Sequence, residues 1–372
     1  MERSATEPQD ERDAPIMAIT MGDPAGVGPE IIAGAWRDFF AEERLRSSNV
    51  FPLPKTRPFV FGDPEMIARG AALRGVDLKI VPVDANDVND AANDYASVGG
   101  GDVVPVVPCC AHDVARVAIG KICPEGGDAA FRSLNRAIDL ALARKVDAIV
   151  TAPLHKESLH LAGHNYPGHT EILAERCKTT DFGMALYLGP CASLASPTGL
   201  GVVHVTLHTS MRNAVDAITR RGVVEKIGLM RRFMTTILGR EPKIGVCALN
   251  CHASDGGLFG DEERTIVAPA VEEARGSGAD VAGPFPADTL FLDAKNGLYD
   301  GIVAMYHDQG HIAVKMLDMF AAVNVALGLP IIRTSVAHGT AFNIAGKGLA
   351  TTKSLIEAIR VAALFAKKHE TP

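Results

Sequence analysis

The fold is decided by one stretch near the N-terminus, Ile16-Met17-Ala18-Ile19-Thr20-Met21-Gly22-Asp23-Pro24-Ala25-Gly26-Val27-Gly28-Pro29-Glu30. Its apolar first part predicts a buried strand, and its glycine-rich second part predicts a tight turn. Ile31, Ile32, Ala35 and Trp36 then recur at helical spacing, and Pro29 suits the first position of that helix. The stretch therefore predicts strand, turn and helix, the repeating unit of an α/β domain.

The same alternation recurs along the rest of the chain. Amphipathic helices are clearest over 126–144, 212–238 and 261–276. Strands alternating with helices predict an α/β fold in which a mostly parallel sheet is covered on both faces. Further strands are predicted at 58–61, 78–83, 148–153, 184–188, 201–207, 243–249, 281–284, 301–305 and 322–326.

Length and composition limit the classes of protein that fit. A chain of 372 residues with 47% hydrophobic residues predicts a globular protein of two domains or one bilobed domain. The net charge of −7 argues against nucleic acid as a partner. Seven cysteines without a C-x-x-C pair indicate a reducing compartment rather than a disulfide framework. Residues 1–14 are predicted to form a disordered tail, and no apolar run is long enough for a membrane span, so we expect a cytoplasmic protein.

Three histidines follow apolar strands at nearly the same position. His208, His252 and His307 come zero to three residues after the predicted strands. Ligands of open α/β sheets bind outside the carboxyl ends of the strands. If these strands are neighbours, three imidazoles could hold a divalent ion with an open coordination position. Zinc suits such ligands best, with magnesium, manganese or cobalt as alternatives, but each histidine could equally cap its strand or donate one structural hydrogen bond.

Two further groups of residues indicate an anion site. Lys315, Asn324 and Arg333 could together bind a phosphate through charge-assisted hydrogen bonds, although isolated charges are usually solvated. Gly168-His169-Thr170-Glu171 opens a predicted helix, whose free backbone N–H groups favour an anion. Thr170 could also be the N-cap of that helix, and the two interpretations are compatible.

Asp288 lies in a polar loop after a predicted strand. It could orient a ligand histidine or accept a proton, or it could be an ordinary turn aspartate. The glycine-rich turn is neither a Walker A loop nor a G-x-G-x-x-G motif, so it does not by itself indicate a nucleotide.

Seven segments spread over residues 16–350 together resemble the 4-hydroxythreonine-4-phosphate dehydrogenase family. Two of them, Tyr306-His307-Asp308-Gln309-Gly310 and His338-Gly339-Thr340-Ala341, are the most specific. The others are Met21–Glu30, Thr151–Lys156, Gly168–Glu171, Asn250–Ala253 and Pro286–Thr289.

The resemblance implies two α/β/α lobes with the fold of the isocitrate and isopropylmalate dehydrogenases. Residues 15–130 and 305–372 would form the cofactor-side domain, and residues 131–304 would form the domain for metal, substrate and dimerisation. The protein would be a homodimer with its active site at the subunit interface.

The resemblance also implies a role for each candidate residue. The metal would be held by His208, His252 and His307. The substrate and its phosphate would contact His169, Thr170, Lys315, Asn324 and Arg333. NAD, or alternatively NADP, would lie along the segment that contains His338, Gly339, Thr340 and Gly346. Asp288 would be the acid–base or orienting residue.

The implied reaction is the NAD- and metal-dependent oxidation and decarboxylation of a phosphorylated hydroxy acid. The first candidate substrate is 4-phosphooxy-L-threonine, which would give 3-amino-2-oxopropyl phosphate and carbon dioxide. Three departures from the family pattern leave other substrates open. Cys251 stands where proline is usual, Ala337 stands where the biosynthetic enzymes carry aspartate, and His311 is typical of a paralogous branch.

That branch acts on D-threonate or D-erythronate 4-phosphate, and more distant relatives oxidise dihydrodiol carboxylates. An alternative from another class is a phosphate acyltransferase, whose fold is related. Such an enzyme would need neither metal nor NAD, so the three strand-end histidines argue against it.

Overall fold

The structure, a computed structural model, describes residues 14–44, 55–95, 99–110 and 114–369. The described strands are β1 Ile16–Thr20, β2 Arg57–Gly62, β3 Lys79–Pro82, β4 Val103–Pro108, β5 Ala148–Thr151, β6 Gly183–Leu188, β7 Leu200–His204, β8 Ile244–Cys247, β9 Val281–Phe285, β10 Gly301–Ala304, β11 Ala322–Leu327 and β12 Ile332–Val336. The described helices are α1 Gly28–Arg44, α2 Pro64–Arg74, α3 Val88–Asn93, α4 Pro124–Leu142, α5 Lys156–Leu161, α6 His169–Arg176, α7 Met211–Asp216, α8 Arg220–Leu238, α9 Ala268–Gly276, α10 Ala287–Lys295, α11 His307–Asp318 and α12 Lys353–His369.

The chain divides into two compact units. The first unit contains residues 1–166, 339–352 and 362–372, and the second contains residues 167–338 and 353–361. The domain boundaries predicted from the sequence lie near residues 130 and 305, and that division stays a prediction. Of the predicted tail, residues 1–13 lie outside the described part of the chain, and Ala14 is buried.

Five parallel strands form the sheet of the first unit, in the order β3-β4-β2-β1-β5. All five residues of β1 are buried, and α1 begins at Gly28, so the stretch that opened the sequence analysis does form strand, turn and helix. Gly22 adopts a left-handed φ of 70° in that turn, and a β-carbon there would overlap the Pro153 carbonyl. Only glycine fits this approach without strain.

Seven strands form the sheet of the second unit, in the order β12-β11-β6-β7-β10-β8-β9. Strands β7, β10, β8 and β9 run parallel, whereas β6, β11 and β12 pair antiparallel. The predicted α/β fold with a mostly parallel sheet is therefore confirmed. A buried apolar cluster of Leu186, Val202 and Ile302 joins these strands to the helices that cover them.

Within the described residues, no helix combines the length and the apolar character that a membrane crossing requires. The predicted helix over 212–238 is in fact two helices, α7 and α8. The break falls at Thr219, whose hydroxyl accepts a hydrogen bond from Gly222 N at 3.1 Å and caps the second helix.

Candidate active site

The three loops that carry the predicted metal ligands leave neighbouring strands. His208 follows β7, His307 follows β10 and His252 follows β8, and the sheet order is β7-β10-β8. The three strands are therefore adjacent and parallel, as the convergence of these histidines requires. Backbone pairing also continues past the strand ends, because Thr206 N donates to the Met305 carbonyl at 3.1 Å.

His208 and His307 lie close together because the segments that carry them stay paired beyond the ends of β7 and β10. Their ring centroids are 5.9 Å apart. His307 is the first residue of α11, and its Nδ1 lies 2.7 Å from Asp308 Oδ1. An Nδ1–H that donates to this carboxylate leaves the lone pair on Nε2, the arrangement that prepares a histidine to bind a metal.

Two further histidines, which were not predicted to belong to the site, pack behind this pair. His311 stacks on His307 with ring centroids 3.7 Å apart, and its Nδ1 lies 3.2 Å from Nε2 of His204. Burial lowers the pKa of His204 well below its ordinary value and lowers that of His311 to about 4, helped by neighbouring histidines. Both rings are therefore neutral at pH 7 and support His307 by packing.

Gly310 permits this close approach. A β-carbon at Gly310 would overlap Nε2 of His204, so the glycine lets α11 lie directly against β7. The residue directly before it, Gln309, accepts a hydrogen bond from Met305 N at 2.7 Å and donates one to the Ala248 carbonyl at 2.8 Å. This side chain ties the end of β10 to the end of β8.

The donor set suits a divalent ion only in part. A ligating imidazole nitrogen lies about 2 Å from zinc, so two rings 5.9 Å apart can both reach one ion. Across the described ranges, however, no group of three or more histidine, cysteine, aspartate or glutamate side chains is arranged to hold a metal. His252 is exposed, in a turn after β8. One chain thus brings together two of the three predicted ligands.

The predicted phosphate residues Asn324 and Arg333 lie on one face of the sheet. Ala326 pairs with Arg333, and Asn324 pairs with Ser335, in the antiparallel ladder of β11 and β12. Cross-strand partners share a face, and so do residues two apart on one strand. Arg333 is 4% exposed, and burial lowers its pKa to about 10 despite the opposing charge of Glu171.

That electrostatic effect locates the start of α6 close to Arg333, because Glu171 belongs to its first turn. His169 and Thr170 are the first two residues of the helix, and its N-cap is Gly168. The interpretation of Thr170 as the N-cap is therefore wrong, since a residue inside the helix does not cap it. The first turn of this helix remains the predicted anion site.

Lys315 shares a helix face with the histidine cluster. His307, His311 and Lys315 are spaced four residues apart along α11, and the charge of Lys315 contributes to the lowered pKa of His311. The face therefore carries a predicted metal ligand at its start and a predicted phosphate ligand two turns later.

Asp288 occupies the first turn of α10, after β9. Its carboxylate accepts a hydrogen bond from Thr289 N at 3.1 Å, and the side chain is exposed. Its acid–base role stays a prediction.

The predicted cofactor segment is seated on the glycine-rich turn of the first unit. The Thr340 carbonyl accepts from Val27 N at 3.0 Å, and Gly346 N donates to Glu30 Oε2 at 2.9 Å. A β-carbon on Gly26 would lie 2.9 Å from Thr340. The turn thus needs a glycine because the cofactor segment crosses it. His338 itself is the last residue of the segment 167–338 of the second unit.

These features define an α/β protein with a histidine-rich site where parallel strands end and a buried arginine beside a helix start. Residues 54–362 match the family described as pyridoxal phosphate biosynthetic protein PdxA. The chain belongs to this family.

Relatives within it carry two names. The chain is 41% identical to a D-threonate 4-phosphate dehydrogenase of Salmonella typhimurium, over 93% of this chain and 97% of the relative. It is 40% identical to a 4-hydroxythreonine-4-phosphate dehydrogenase of Trichlorobacter lovleyi, over 95% and 98%. The crystal structure of a 4-hydroxythreonine-4-phosphate dehydrogenase from Klebsiella pneumoniae superimposes with a TM-score of 0.79 at 39% identity, over 95% and 98%.

Proposed function

We propose that this chain is a dehydrogenase that uses NAD and a divalent metal to oxidise and decarboxylate a four-carbon hydroxy acid with a 4-phosphate. The observation that carries the proposal is Arg333. A buried guanidinium with a lowered pKa, close to a helix N-terminus and on the same sheet face as Asn324, is suited to a doubly charged phosphate. Dehydrogenase is also the activity in the names of both relatives.

The phosphate contacts would hold the substrate so that its hydroxyl faces the histidines. Lys315 would bridge the two regions, since it lies on the helix face that begins with His307. A divalent ion bound by His307, His208 and His252 would act as a Lewis acid that lowers the pKa of the substrate hydroxyl. His204 and His311, neutral and packed behind His307, would keep its ring in one orientation.

The segment from His338 to Gly348 is our candidate for the NAD site, with NADP as the alternative. It rests on the glycine-rich turn through Val27 and on α1 through Glu30. At Gly339 a side chain would meet no atom of the described protein within 4 Å. Because glycine has no β-carbon, a dinucleotide can approach the backbone closely at this position.

A homodimer is the second part of the proposal. The structure brings His208 and His307 together within one chain, and a partner subunit would bring the remaining donor to them. Large apolar side chains are also exposed close to the histidines along the chain. Ile312 is 62% exposed and Met316 is 82% exposed, one turn apart on α11, and Leu258 is 72% exposed shortly after His252. Exposed apolar side chains grouped in this way are typical of interfaces.

We propose that the residue at position 337 determines which of the two candidate substrates the enzyme prefers. 4-Hydroxythreonine 4-phosphate carries an ammonium group, whereas D-threonate 4-phosphate carries a hydroxyl in its place. Ala337 follows Val336, whose carbonyl accepts from Asn324 at 3.1 Å, and it packs against the apolar cluster. An alanine offers no carboxylate to an ammonium group. We therefore place D-threonate 4-phosphate first and 4-phosphooxy-L-threonine second.

A substrate panel tests the proposal. NADH absorbance should rise with a four-carbon 4-phosphate in the presence of a divalent metal, and kcat/KM should be higher for D-threonate 4-phosphate. Ala337→Asp should shift the ratio of the two kcat/KM values at least about tenfold toward 4-hydroxythreonine 4-phosphate. A desolvated ion pair between the new carboxylate and the substrate ammonium group would contribute about 1.4 kcal/mol or more. No NADH with any phosphorylated substrate would reject the proposed function, and an unchanged ratio would reject the role of position 337.

A further inference from the structure

The turn that carries His252 has an unfavourable backbone. The short helical turn Cys251–Gly257 is left-handed at five consecutive residues, from His252 with φ 52° to Gly256 with φ 71°. Four of the five are not glycine, and residues with a β-carbon disfavour this region. Such a run persists only where surrounding contacts hold it in place.

Those contacts come from the carboxylate of Glu263. Its Oε1 accepts from Leu249 N and from Asn250 N, each at 2.8 Å, and its Oε2 accepts from Asn250 Nδ2 at 3.0 Å and from the Ser254 hydroxyl. The residue is 4% exposed. Both oxygens of this buried carboxylate thus accept hydrogen bonds from residues 249–254, and the donors lie on both sides of His252 in the sequence.

The backbone at Glu263 is itself unusual. Residues Glu263–Val267 form a wide π-type turn that leads into α9. Such turns are rare and occur frequently at functional sites, where they redirect a side chain. Here the widened turn begins at the residue whose carboxylate faces the His252 segment, since Ser254 and Asn250 both donate to it.

We propose that Glu263 is a positioning residue that sets the orientation of His252 for metal binding. This inference rests on the proposed function, in which His252 is a metal ligand. Glu263 holds Leu249 and Asn250, which precede the histidine, and Ser254, two residues after it, so the carboxylate would set the backbone from which the imidazole projects. A carboxylate is needed because four donors converge on it, and an amide would present its own N–H groups to some of them.

Glu262 provides a matched control. Its Oε2 accepts from the same Asn250 amide at 2.8 Å, but it is only half-buried and directly precedes Glu263. Glu263→Gln and Glu262→Gln remove the same charge one residue apart. A general effect of charge on metal binding would appear in both variants, whereas a positioning effect would appear in the first alone.

The experiment is a titration of the full-length, metal-free protein with cobalt(II) chloride, followed by calorimetry and by visible absorption of the bound ion. Glu263→Gln should weaken cobalt affinity by about tenfold to a hundredfold, the usual loss when a residue that orients a metal ligand is removed, and should change the cobalt spectrum. Glu262→Gln should match the wild type in both. If the wild type binds cobalt and Glu263→Gln has the same affinity and the same spectrum, the inference about Glu263 is overturned, while the proposed function is not affected.

A milder variant keeps the test valid if Glu263→Gln does not fold. Ser254→Ala removes one of the four hydrogen bonds and leaves the carboxylate in place. It should weaken cobalt affinity severalfold with its melting temperature close to that of the wild type, and unchanged affinity would then overturn the inference. A wild type that binds no cobalt would reject the metal dependence of the proposed function together with the inference.

Discussion

Replacement of Arg333 by methionine separates binding from folding more clearly than any other change at this site. The substitution keeps much of the side-chain volume and removes the charge. Charge-assisted hydrogen bonds contribute about 1.5–3 kcal/mol each, so the loss of two contacts to a phosphate costs at least about 3 kcal/mol. That corresponds to a rise of roughly a hundredfold or more in the KM for a phosphorylated substrate.

The ligand-free protein should respond in the opposite direction. A pKa lowered to about 10 means that the surroundings disfavour the charged guanidinium by roughly 3 kcal/mol. Removal of the charge relieves this cost and offsets the contacts that are lost. We therefore expect the melting temperature of Arg333→Met without ligand to equal or exceed that of the wild type.

Thermal unfolding with and without inorganic phosphate measures both effects. Phosphate at a hundred times its dissociation constant should stabilise the wild type by about 2.7 kcal/mol and should leave Arg333→Met unchanged. Arg232→Met is the control, because Arg232 is 64% exposed and its ion pair with Asp181, at 3.6 Å, contributes little. An Arg333→Met variant that retains the wild-type KM and melts well below the wild type would contradict this prediction, since Arg333 would then be a structural residue.

Substitutions at two further positions, Gly310 and His155, test how the site is held. Gly310→Ala should reduce the free energy of unfolding by about 1–3 kcal/mol and lower kcat, because the added β-carbon would overlap His204. Urea unfolding measures the change in stability. A variant that is more stable than the wild type, as is usual when alanine replaces glycine in a helix, would contradict this prediction. His155 accepts a hydrogen bond from Ser158 N at 3.3 Å and stacks on Phe342 at 4.7 Å, so His155→Asn should keep the helix cap and raise the KM for NAD about threefold to tenfold. His155→Phe should keep the wild-type KM for NAD and lose about 1 kcal/mol of stability, because it removes the helix cap. Equal KM values for NAD in the two variants would show that the ring stack on Phe342 does not support the predicted cofactor segment.

Periodicity was sufficient to predict most of the fold. The strand predicted over 184–188 is β6, Gly183–Leu188, because an uninterrupted apolar run of that length is buried on both faces. Strand β12 was not predicted, since Ile332–Val336 contains an arginine, a threonine and a serine. Its polar side chains are buried through tertiary pairing with β11, which a local pattern does not reveal.

The candidate site could be predicted only in part for a related reason. The sequence shows that polar residues follow apolar strands, but it does not show that β10 lies between β7 and β8. His204 was hidden inside an apolar strand, although a lone polar residue in such a run is a signal that could have been used. Glu263 was hidden in an amphipathic helical pattern, and its burial and four hydrogen bonds are visible only in three dimensions.

Helix α11 explains why binding and chemistry at this site should be coupled. His307 begins the helix, His311 packs behind it, and Lys315 follows one turn later on the same face. The helix is fixed against β7 at Gly310 and tied to the ends of β8 and β10 through Gln309. A rigid helix cannot move its lysine without moving its first histidine. In the proposed complex, a phosphate contact at Lys315 would therefore constrain the position of the His307 ring, so a substrate without a phosphate should lose catalytic rate as well as affinity.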